Sequence, residues 1–559
     1  MNKMGPLSRR QFIGRTTLAG VPVLLLPGTA SSWMSRSAEE PVVDTPNGKL
    51  KGYRNNGVTI FKGIPYAGNV SGRMRFRKAG PVQPWTGIRD ATKLGHPSIQ
   101  PPNQTYGLNE PDPAEDCLVL NIWTPATDGK KRPVMVYNHG GGFRTGSGGS
   151  TAQDGSNIAR MYDVVVVATN HRLGLLGFLY LDELAGEEYM GSGNRGVQDI
   201  AVALQWINEN ITLFGGDPDN VMIFGESGGG MKTSCLYAMP EAAPYFNKAS
   251  IESGPGVTMI EAEIAAQTTR SLLDYLNISP NRWEKLLKVP AEKLLEAQGN
   301  LPTGPGGLSG GFRGIGGSGP GSFGAVVDGV VLPEHPFEPR APEISRDKPL
   351  MVGWNEDEYI FFALYGDKEV FTITREELKS RLERDFGDRS DLILRTYQEA
   401  QPELTPGQTY IAIRSITMMG LGSIRIAERK SIQGGAPAYL YNFGYKSNDK
   451  VPGTDFEIGT MHALDIPFKF FNVEGGMAGT RPDRFEAARN MTGLWTSFAR
   501  DGKPAAAGQP DWPSYNMDTR PTYRIDTRCE IIYDRFRPER MMWEEVYGNL
   551  QHSFQSGAI

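Results

Sequence analysis

Short apolar runs alternate with amphipathic segments along most of the chain. The runs with the length and apolar content of buried strands are residues 119–123, 133–137, 163–168, 221–224, 248–253, 349–353 and 437–443. The segments typical of helices are residues 194–214, 261–299, 375–399 and 483–500. Strands that alternate with helices predict an α/β protein whose large, mostly parallel central sheet is flanked by helices.

Three stretches outside this alternation carry turn or loop signals. Residues 42–66 hold short strands broken by Asn47-Gly48 and Asn55-Asn56-Gly57, which predicts antiparallel hairpins. Residues 67–115 are rich in proline and polar residues and are predicted to be irregular. Residues 304–324 hold eleven glycines in twenty-one positions, which predicts either a surface loop or a gate beside a site. Because no linker follows residue 41, residues 39–559 are predicted to form one domain with long loop and helical insertions.

Composition narrows the classes of protein that fit. The chain has 559 residues, a formal net charge of −5 and 39% hydrophobic residues, so a nucleic-acid partner is not expected. Its three cysteines, Cys117, Cys235 and Cys529, exclude a disulfide framework and leave a single bridge open. No cysteine and histidine cluster has metal-ligand spacing, so no metal is expected, and no organic cofactor is expected either.

The N-terminus resembles an export signal. Arg9 and Arg10 lie in the segment SRRQFIG at residues 8–14, ahead of an apolar run at 18–26 and small residues from 30 to 38. This pattern predicts a twin-arginine signal over residues 1–38 and a periplasmic or secreted protein. The apolar run is far shorter than the roughly 20 residues of a membrane span, so no stable span is expected.

The segment Gly225-Glu226-Ser227-Gly228-Gly229 follows a predicted strand and precedes a predicted helix. It fits the G-x-S-x-G pattern, in which a sharp strand-to-helix turn presents the serine at its tip and only glycine fits on either side. Without supporting residues, such a segment is equally well a glycine-rich turn. An activated serine also needs a base, an acid that orients the base, and donors for the oxyanion.

The donors and the base have candidates elsewhere in the chain. The run Asn138-His139-Gly140-Gly141-Gly142-Phe143 follows a predicted strand, and the N–H groups of Gly141 and Gly142 with that of Gly228 would form a three-donor oxyanion hole. Of the six histidines, His462 follows the serine in a predicted loop, and elimination with chain order favours it as the base.

The orienting acid lies in the segment Gly353 to Glu358, which directly follows a strand between the serine and the histidine. Its three carboxylates, Glu356, Asp357 and Glu358, are also consistent with a solvated acidic turn. The order serine, acid, histidine is the one expected of α/β-hydrolases.

These motifs make the chain resemble the type-B carboxylesterase/lipase family, which includes para-nitrobenzyl esterases and cholinesterases. The matching pieces, spread over residues 42–515, include EDCLVLN at 115–121, NHRLGLLGF at 170–178, FGGDP at 214–218, FGESGG at 224–229 and VDGVVLP at 327–333. The resemblance implies an α/β-hydrolase fold with Ser227 as nucleophile, Glu358 as acid and His462 as base. It also implies that Glu226, Ser253 and Asp465 are buried polar residues behind these three.

The chain departs from the family pattern at several positions. The family usually has alanine where this chain has Gly228, and glycine where it has Tyr359 and Ala463. The cysteine that the family pairs with Cys117 is replaced by Ser98, so Cys117 is predicted to be unpaired. The tryptophan of cholinesterases is missing from residues 99–114, where Tyr106 is the only aromatic residue, which argues against choline esters.

The resulting hypothesis is an exported serine carboxylesterase that hydrolyses small-molecule esters through an acyl-enzyme. Amide or peptide hydrolysis on the same residues, and a non-catalytic cholinesterase-like binding protein, are the alternatives; dinucleotide binding fits poorly because the glycine pattern is broken. Acyl and alcohol pockets are predicted in loops at 67–114, 300–325 and 359–372. The aromatic residues expected either to line them or to lie in the core are Phe143, Phe323, Phe361 and Phe362. The natural ester and the oligomeric state do not follow from the sequence.

Overall fold

An eleven-stranded mixed sheet forms the centre of the protein. The structure is a computed structural model, and it describes residues 40–102, 110–302 and 321–547. The strands, in chain order, are β1 (Val42–Thr45), β2 (Gly48–Lys51), β3 (Tyr53–Asn55), β4 (Val58–Pro65), β5 (Ile88–Asp90), β6 (Val119–Thr124), β7 (Arg132–Asn138), β8 (Val165–Thr169), β9 (Gly216–Glu226), β10 (Lys248–Glu252), β11 (Ile260–Glu261), β12 (Val326–Val327), β13 (Leu350–Asn355), β14 (Ala438–Phe443), β15 (Ser447–Lys450), β16 (Glu457–Gly459), β17 (Pro521–Ile525) and β18 (Glu530–Tyr533). The order in the sheet is β18-β17-β14-β13-β10-β9-β7-β8-β6-β4-β3.

The seven neighbouring strands from β17 to β8 in this order run parallel, and antiparallel strands lie at both edges. Strands β7, β8, β10, β13 and β14 are buried along their whole length. Parallel strands covered on both faces need apolar residues throughout, which explains the unbroken apolar runs. The predicted α/β class with a mostly parallel sheet is confirmed.

Fourteen α-helices lie among the described residues, and several of them pack against the sheet. They are α1 (Ser156–Tyr162), α2 (Gly174–Phe178), α3 (Arg195–Asn210), α4 (Gly228–Ala238), α5 (Ala262–Tyr275), α6 (Ala291–Asn300), α7 (Tyr359–Gly366), α8 (Arg375–Phe386), α9 (Ser390–Ala400), α10 (Pro406–Ser415), α11 (Leu421–Gln433), α12 (Asp465–Lys469), α13 (Arg484–Asp501) and α14 (Arg537–Val546). Helices α4 and α13 both contact β7 and β9, and α11 contacts β13 and β14.

The strand order reverses between β7 and β9. From β7 the chain goes to β8 on one side, and β9 lies on the other side of β7. In open α/β sheets, such a reversal leaves a crevice beyond the carboxyl ends of the strands, where ligands bind. Three of the segments singled out in the sequence follow the carboxyl ends of parallel strands: the glycine run after β7, the serine turn after β9 and the acidic turn after β13. The topology therefore brings them to the same end of the parallel strands.

The structure corrects the sequence-based prediction in two segments. Residues 359–372, predicted as a pocket loop, form α7 and a 3₁₀ helix at Lys368–Thr372. Within the predicted helical region 261–299, Pro280–Lys288 is a 3₁₀ helix rather than an α-helix. Helix α10, the π-helical turn Ile416–Gly420, helix α11 and the C-terminal elements β17, β18 and α14 were not predicted.

The described residues belong to one compact unit that begins at Glu40. The predicted export signal, Tyr106 and most of the glycine-rich stretch 304–324 lie outside the described residues. Over residues 40–102, 110–302 and 321–547, no helix is both long enough and apolar enough to cross a membrane.

Candidate active site

Ser227 lies at the tip of a tight turn between β9 and α4. Its backbone has φ 59° and ψ −125°, a conformation that non-glycine residues rarely adopt. A Cβ atom at Gly225 would lie 2.6 Å from the Asn138 carbonyl oxygen, and one at Gly229 would lie 2.0 Å from it. Both glycines are therefore required by the close approach of β7, and the turn has the strained geometry that the sequence spacing predicts.

Three side chains from distant parts of the chain form a hydrogen-bonded row. His462 Nε2 lies 2.8 Å from Ser227 Oγ, and His462 Nδ1 lies 2.5 Å from Glu358 Oε2. The backbone N–H of Asn355 donates to Glu358 Oε1 at 2.8 Å. All three side chains of the row are buried. The structure thus brings together the serine, acid and histidine that the sequence analysis selected.

The three carboxylates of the acidic turn after β13 have different sets of partners. Glu356 forms salt bridges with Lys446 and Arg535. Asp357 also pairs with Lys446 and accepts a hydrogen bond from the backbone N–H of Thr460. The third carboxylate, Glu358, is therefore the one that contacts the histidine. Tertiary contacts, not position in the turn, resolve the alternatives that the sequence left open.

Glu226 is in direct contact with the histidine rather than behind it. Its Oε1 lies 3.2 Å from His462 Nε2, on the side of the imidazole that also faces Ser227. Burial raises the pKa of the Glu226 carboxyl well above its ordinary range. Burial also disfavours the charged form of His462, but the negative charges of Glu226 and Glu358 outweigh this effect and raise its pKa above 6.5. The imidazole therefore lies between two carboxylates that both favour its protonated form.

Asp465 belongs to a buried ionic cluster beside the row. Lys469 pairs with both Asp465 and Glu252 at 2.5 Å, and Trp495 Nε1 donates to Glu252. Asn355 Nδ2 donates to Asp465 Oδ1 at 3.1 Å, which connects this cluster to the residue that holds Glu358. Each of the two buried carboxylates therefore has Lys469 as a partner, which offsets part of the cost of burying it.

Ser253 is fully buried and has a positive φ of 46°. Its backbone N–H donates to Gly353 O at 2.8 Å, which ties the end of β10 to β13. Its Oγ has no hydrogen-bond partner among the described residues. Ser253 is thus a buried polar residue, as the resemblance implied, but among the described residues its side chain forms no hydrogen bond with the row.

The glycine run after β7 lies against the serine turn. Gly141 and Gly142 have φ values of 82° and 65°, which side chains rarely tolerate. A Cβ atom at Gly228 would lie 2.4 Å from the Gly142 nitrogen, and one at Gly140 would lie 3.5 Å from Ser227 Cβ. The backbones of Gly142 and Gly228 are therefore in contact, beside Ser227.

Two aromatic rings cover the histidine. The ring centroids of Phe361 and Phe362 lie 5.6 and 4.9 Å from that of His462. Both residues lie on α7, the helix that replaces the predicted loop. Phe143 and Phe323 are buried in the apolar core. Apolar rings around the imidazole exclude water and strengthen the electrostatic interactions of the site.

The other histidines and the cysteines have different environments. His139 and His171 are buried and stack on each other at 4.5 Å, and His335 pairs with Glu261. All three cysteines are free and buried, so Cys117 is unpaired as predicted. In the described part of the chain, no group of three or more histidine, cysteine, aspartate or glutamate side chains is arranged so that it could hold a metal ion.

Sequence reasoning missed Asn355 and Lys446, which together hold the acidic turn. Asn355 lies inside the segment singled out for its carboxylates, and its position next to them was the available signal. Lys446 lies 88 residues beyond Glu358 in the chain, and no local pattern marks it.

Two of the departures from the family pattern, Ala463 and Tyr359, have consequences for the local structure. Ala463 has a φ of 66°, a left-handed conformation that suits the glycine usual at this position in the resembled family. Tyr359 begins α7, and its N–H donates to Ser415 Oγ at 3.0 Å. The side chain of Tyr359 is buried against Tyr410. It therefore ties the start of α7 to α10.

A mostly parallel sheet, with a strained serine turn after a central strand and an acid and a histidine after later strands, defines an α/β-hydrolase. Residues 39–542 match the carboxylesterase family, and the chain belongs to this family. It is a carboxylic ester hydrolase, and the family acts on small-molecule esters.

Relatives with known names agree with this assignment. The chain is 35% identical to a para-nitrobenzyl esterase of Bacillus subtilis (strain 168) over 502 residues, which cover 88% of this chain and 96% of that protein. It is 32% identical to a phenmedipham hydrolase of Pseudarthrobacter oxydans over 526 residues, covering 90% and 98% of the two chains. A crystal structure of a Geobacillus stearothermophilus carboxylesterase has a TM-score of 0.77 at 38% identity, covering 90% of this chain and 99% of that one.

Proposed function

We propose that the protein hydrolyses carboxylic esters through an acyl-enzyme on Ser227. The observation that carries this proposal is the continuous row from Ser227 Oγ through both ring nitrogens of His462 to Glu358. A neutral imidazole that donates its Nδ1 proton to Glu358 leaves Nε2 free to accept the serine proton. The short contact at Nδ1 favours this tautomer.

In the first half-reaction, Ser227 Oγ attacks the ester carbonyl carbon while His462 Nε2 takes the hydroxyl proton. The carbonyl oxygen becomes an oxyanion, for which the N–H groups of Gly141, Gly142 and Gly228 are the donors. Collapse of the tetrahedral intermediate breaks the bond to the alcohol oxygen, and the alcohol leaves with the proton from His462. Glu358 and Glu226 stabilise the imidazolium that exists between these two proton transfers.

In the second half-reaction, water replaces the alcohol. The water oxygen attacks the acyl carbon while His462 Nε2 takes a proton from the water. When the carboxylic acid is released, His462 gives this proton to Ser227 Oγ. The cycle consumes one ester and one water and needs no redox partner.

The substrate class follows from the surroundings of the histidine. Phe361 and Phe362 present apolar rings next to the reacting centre, and no tryptophan of the cholinesterase type occurs at residues 99–114. We propose uncharged esters with apolar acyl or aryl groups rather than choline esters. The names of the para-nitrobenzyl esterase and phenmedipham hydrolase relatives support small aromatic substrates.

The test is hydrolysis of para-nitrophenyl acetate, butyrate and octanoate by the wild type and by Ser227→Ala. Replacing the nucleophile is expected to reduce kcat by about 10⁴-fold or more without loss of folding. Ser234→Ala is the matched control, because it removes a buried hydroxyl from the same helix that bonds only to backbone groups. Unchanged activity in Ser227→Ala would refute the assignment of the nucleophile.

The same preparation separates the alternatives. A wild type that cleaves an anilide faster than the matched ester would favour the amidase alternative. A folded wild type without activity on any ester or amide would favour a binding protein.

We also propose export by the twin-arginine route, on the evidence of Arg9 and Arg10 in the segment at residues 8–14. Replacing both arginines by lysine is expected to retain the full-length protein in the cytoplasm. Fractionation of cells that express each form measures this. Equal export of both forms would refute it.

A further inference from the structure

Lys232 is a buried amine close to the serine turn that the proposed reaction does not use. It lies on α4, five residues after Ser227, and its side chain is 0% exposed. Its Nζ donates a hydrogen bond of 2.9 Å to the carbonyl oxygen of His139, the residue that precedes the glycine run. Among the described residues, no carboxylate forms a salt bridge with it.

A second bond from the same helix reaches the same strand end. Asn138 Nδ2 donates to Thr233 Oγ1 at 2.9 Å. Two consecutive residues of α4 thus hold Asn138, the last residue of β7, and His139, which follows it. The His139 ring is also held by its stack on His171, with centroids 4.5 Å apart. The two residues that precede the glycine run are therefore held by α4, and His139 is also held by His171.

Stability alone does not account for a lysine at this position. Taking an amine out of water without a carboxylate partner is unfavourable, and burial lowers the pKa of Lys232 to about 7. An apolar side chain of similar length fills the same space without this penalty. A neutral amine still donates N–H bonds, so the contact with His139 exists in both protonation states.

The three glycines that follow His139 explain why this carbonyl needs an anchor. Glycine has the greatest backbone freedom of all residues, and Gly141 and Gly142 both adopt positive φ. The orientation of their N–H groups depends on the peptide plane from which the run starts. A hydrogen bond to the His139 carbonyl oxygen fixes that plane relative to α4, the helix that begins with Gly228.

We propose that Lys232 is a positioning residue that aligns the N–H groups of Gly141 and Gly142 with that of Gly228 through its hydrogen bond to His139. The inference rests on the proposed function, because it assigns these N–H groups to the oxyanion. It predicts that loss of the bond weakens binding of the transition state and leaves ground-state ester binding unchanged.

The test replaces Lys232 with methionine, which has similar length and no donor. The matched control is Lys430→Met. Lys430 is also 0% exposed and donates to the Ser345 and Arg346 carbonyl oxygens at 3.0 and 2.6 Å, but it lies on α11. Titration of Ser227 with diethyl para-nitrophenyl phosphate counts the competent sites, so that each rate refers to folded enzyme only.

We expect Lys232→Met to lower kcat per titrated site by about 10- to 100-fold, since a misplacement near 1 Å has an effect of this size. KM should stay within about twofold, and the inhibition constant of a trifluoromethyl ketone should rise by the same factor as kcat/KM falls. Lys232→Gln, which keeps a donor on a shorter chain, should recover part of the rate. Lys430→Met should keep kcat within about twofold.

Several results would overturn the inference. These are an unchanged kcat in Lys232→Met, an equal loss in Lys430→Met, or a rise in KM alone. Failure of both Lys232 variants to fold while Lys430→Met folds would make Lys232 a structural residue. An inactive wild type would instead overturn the proposed function, so the two failures are distinguishable.

Discussion

Replacing Glu226 with glutamine removes a negative charge 3.2 Å from His462 Nε2 and keeps the shape of the side chain. In the wild type, Glu226 and Glu358 stabilise the imidazolium from two sides, and they hold the pKa of His462 above 6.5 although burial acts in the opposite direction. The variant leaves only Glu358 next to the ring. The proton on His462 is therefore held less tightly.

The size of the effect follows from the distance. Two unit charges 3.2 Å apart attract by about 5 kcal/mol at an effective dielectric constant of about 20. Burial of Glu226 cancels part of this attraction, since burial raises the pKa of Glu226 itself and so disfavours its charged form. Opposite charges at such distances shift a pKa by about 1–3 units, or about 1.4–4 kcal/mol.

The sign is fixed by the role of the histidine. In the proposed reaction only neutral His462 accepts the serine proton, so activity is expected to rise as the imidazolium loses its proton. A less stable imidazolium loses it at lower pH. The acidic limb of the kcat/KM profile is therefore expected to move down by about 1–3 pH units in Glu226→Gln. The plateau should fall by about tenfold or more, because the imidazolium also forms in the transition state.

The assay is kcat/KM for para-nitrophenyl butyrate between pH 4 and 10, corrected for spontaneous hydrolysis. Glu356→Gln is the control, because Glu356 pairs with Lys446 and Arg535 and forms no ion pair with the histidine. The acidic limb of the kcat/KM profile of Glu356→Gln should move by much less than that of Glu226→Gln. An unchanged limb in Glu226→Gln, or one displaced to higher pH, would refute the electrostatic argument.

Two further predictions concern the glycine contact and the ionic cluster. In Gly228→Ala, the new Cβ would lie 2.2 Å from the Gly142 carbonyl oxygen, so the glycine run must move by roughly 1 Å and kcat should fall by about 100-fold. A variant with wild-type kcat would show that the run has room for the family's usual alanine. Lys469→Met leaves two buried carboxylates unpaired and should reduce the free energy of unfolding in urea by about 3–5 kcal/mol. Lys450→Met removes an exposed pair and should reduce it by no more than about 1 kcal/mol, and equal losses would contradict the argument.

Patterns within a few residues predicted most of the fold. The strands β7, β8 and β13 were predicted because burial on both faces demands apolar side chains throughout, and this demand is visible in the local sequence. The sequence does not predict helix α7, because its residues YIFFALYG are apolar on nearly every side. Such a segment has no 3.6-residue alternation of apolar and polar positions, which is the signal of an amphipathic helix.

The residues of the candidate site also differ in whether the local sequence or only tertiary contacts identify them. The turn at Ser227 and the glycine run at 140–142 are required by close backbone approach, and glycines at fixed offsets record that requirement in the sequence. The choice of Glu358 over its two neighbours depends on which carboxylates Lys446 and His462 reach. These contacts join residues about 90 to 100 positions apart.

The sequence by itself therefore determined the fold class, the strained serine turn and the set of candidate groups, because each depends on neighbouring residues. Only the tertiary structure decided that Glu226 touches His462, that Asp465 shares Lys469 with Glu252, and that Lys232 anchors the glycine run. Distances between side chains on different strands and helices depend on how those elements pack. Apart from the Asp465–Lys469 pair, which lies at i,i+4 on α12, no spacing along the chain encodes them.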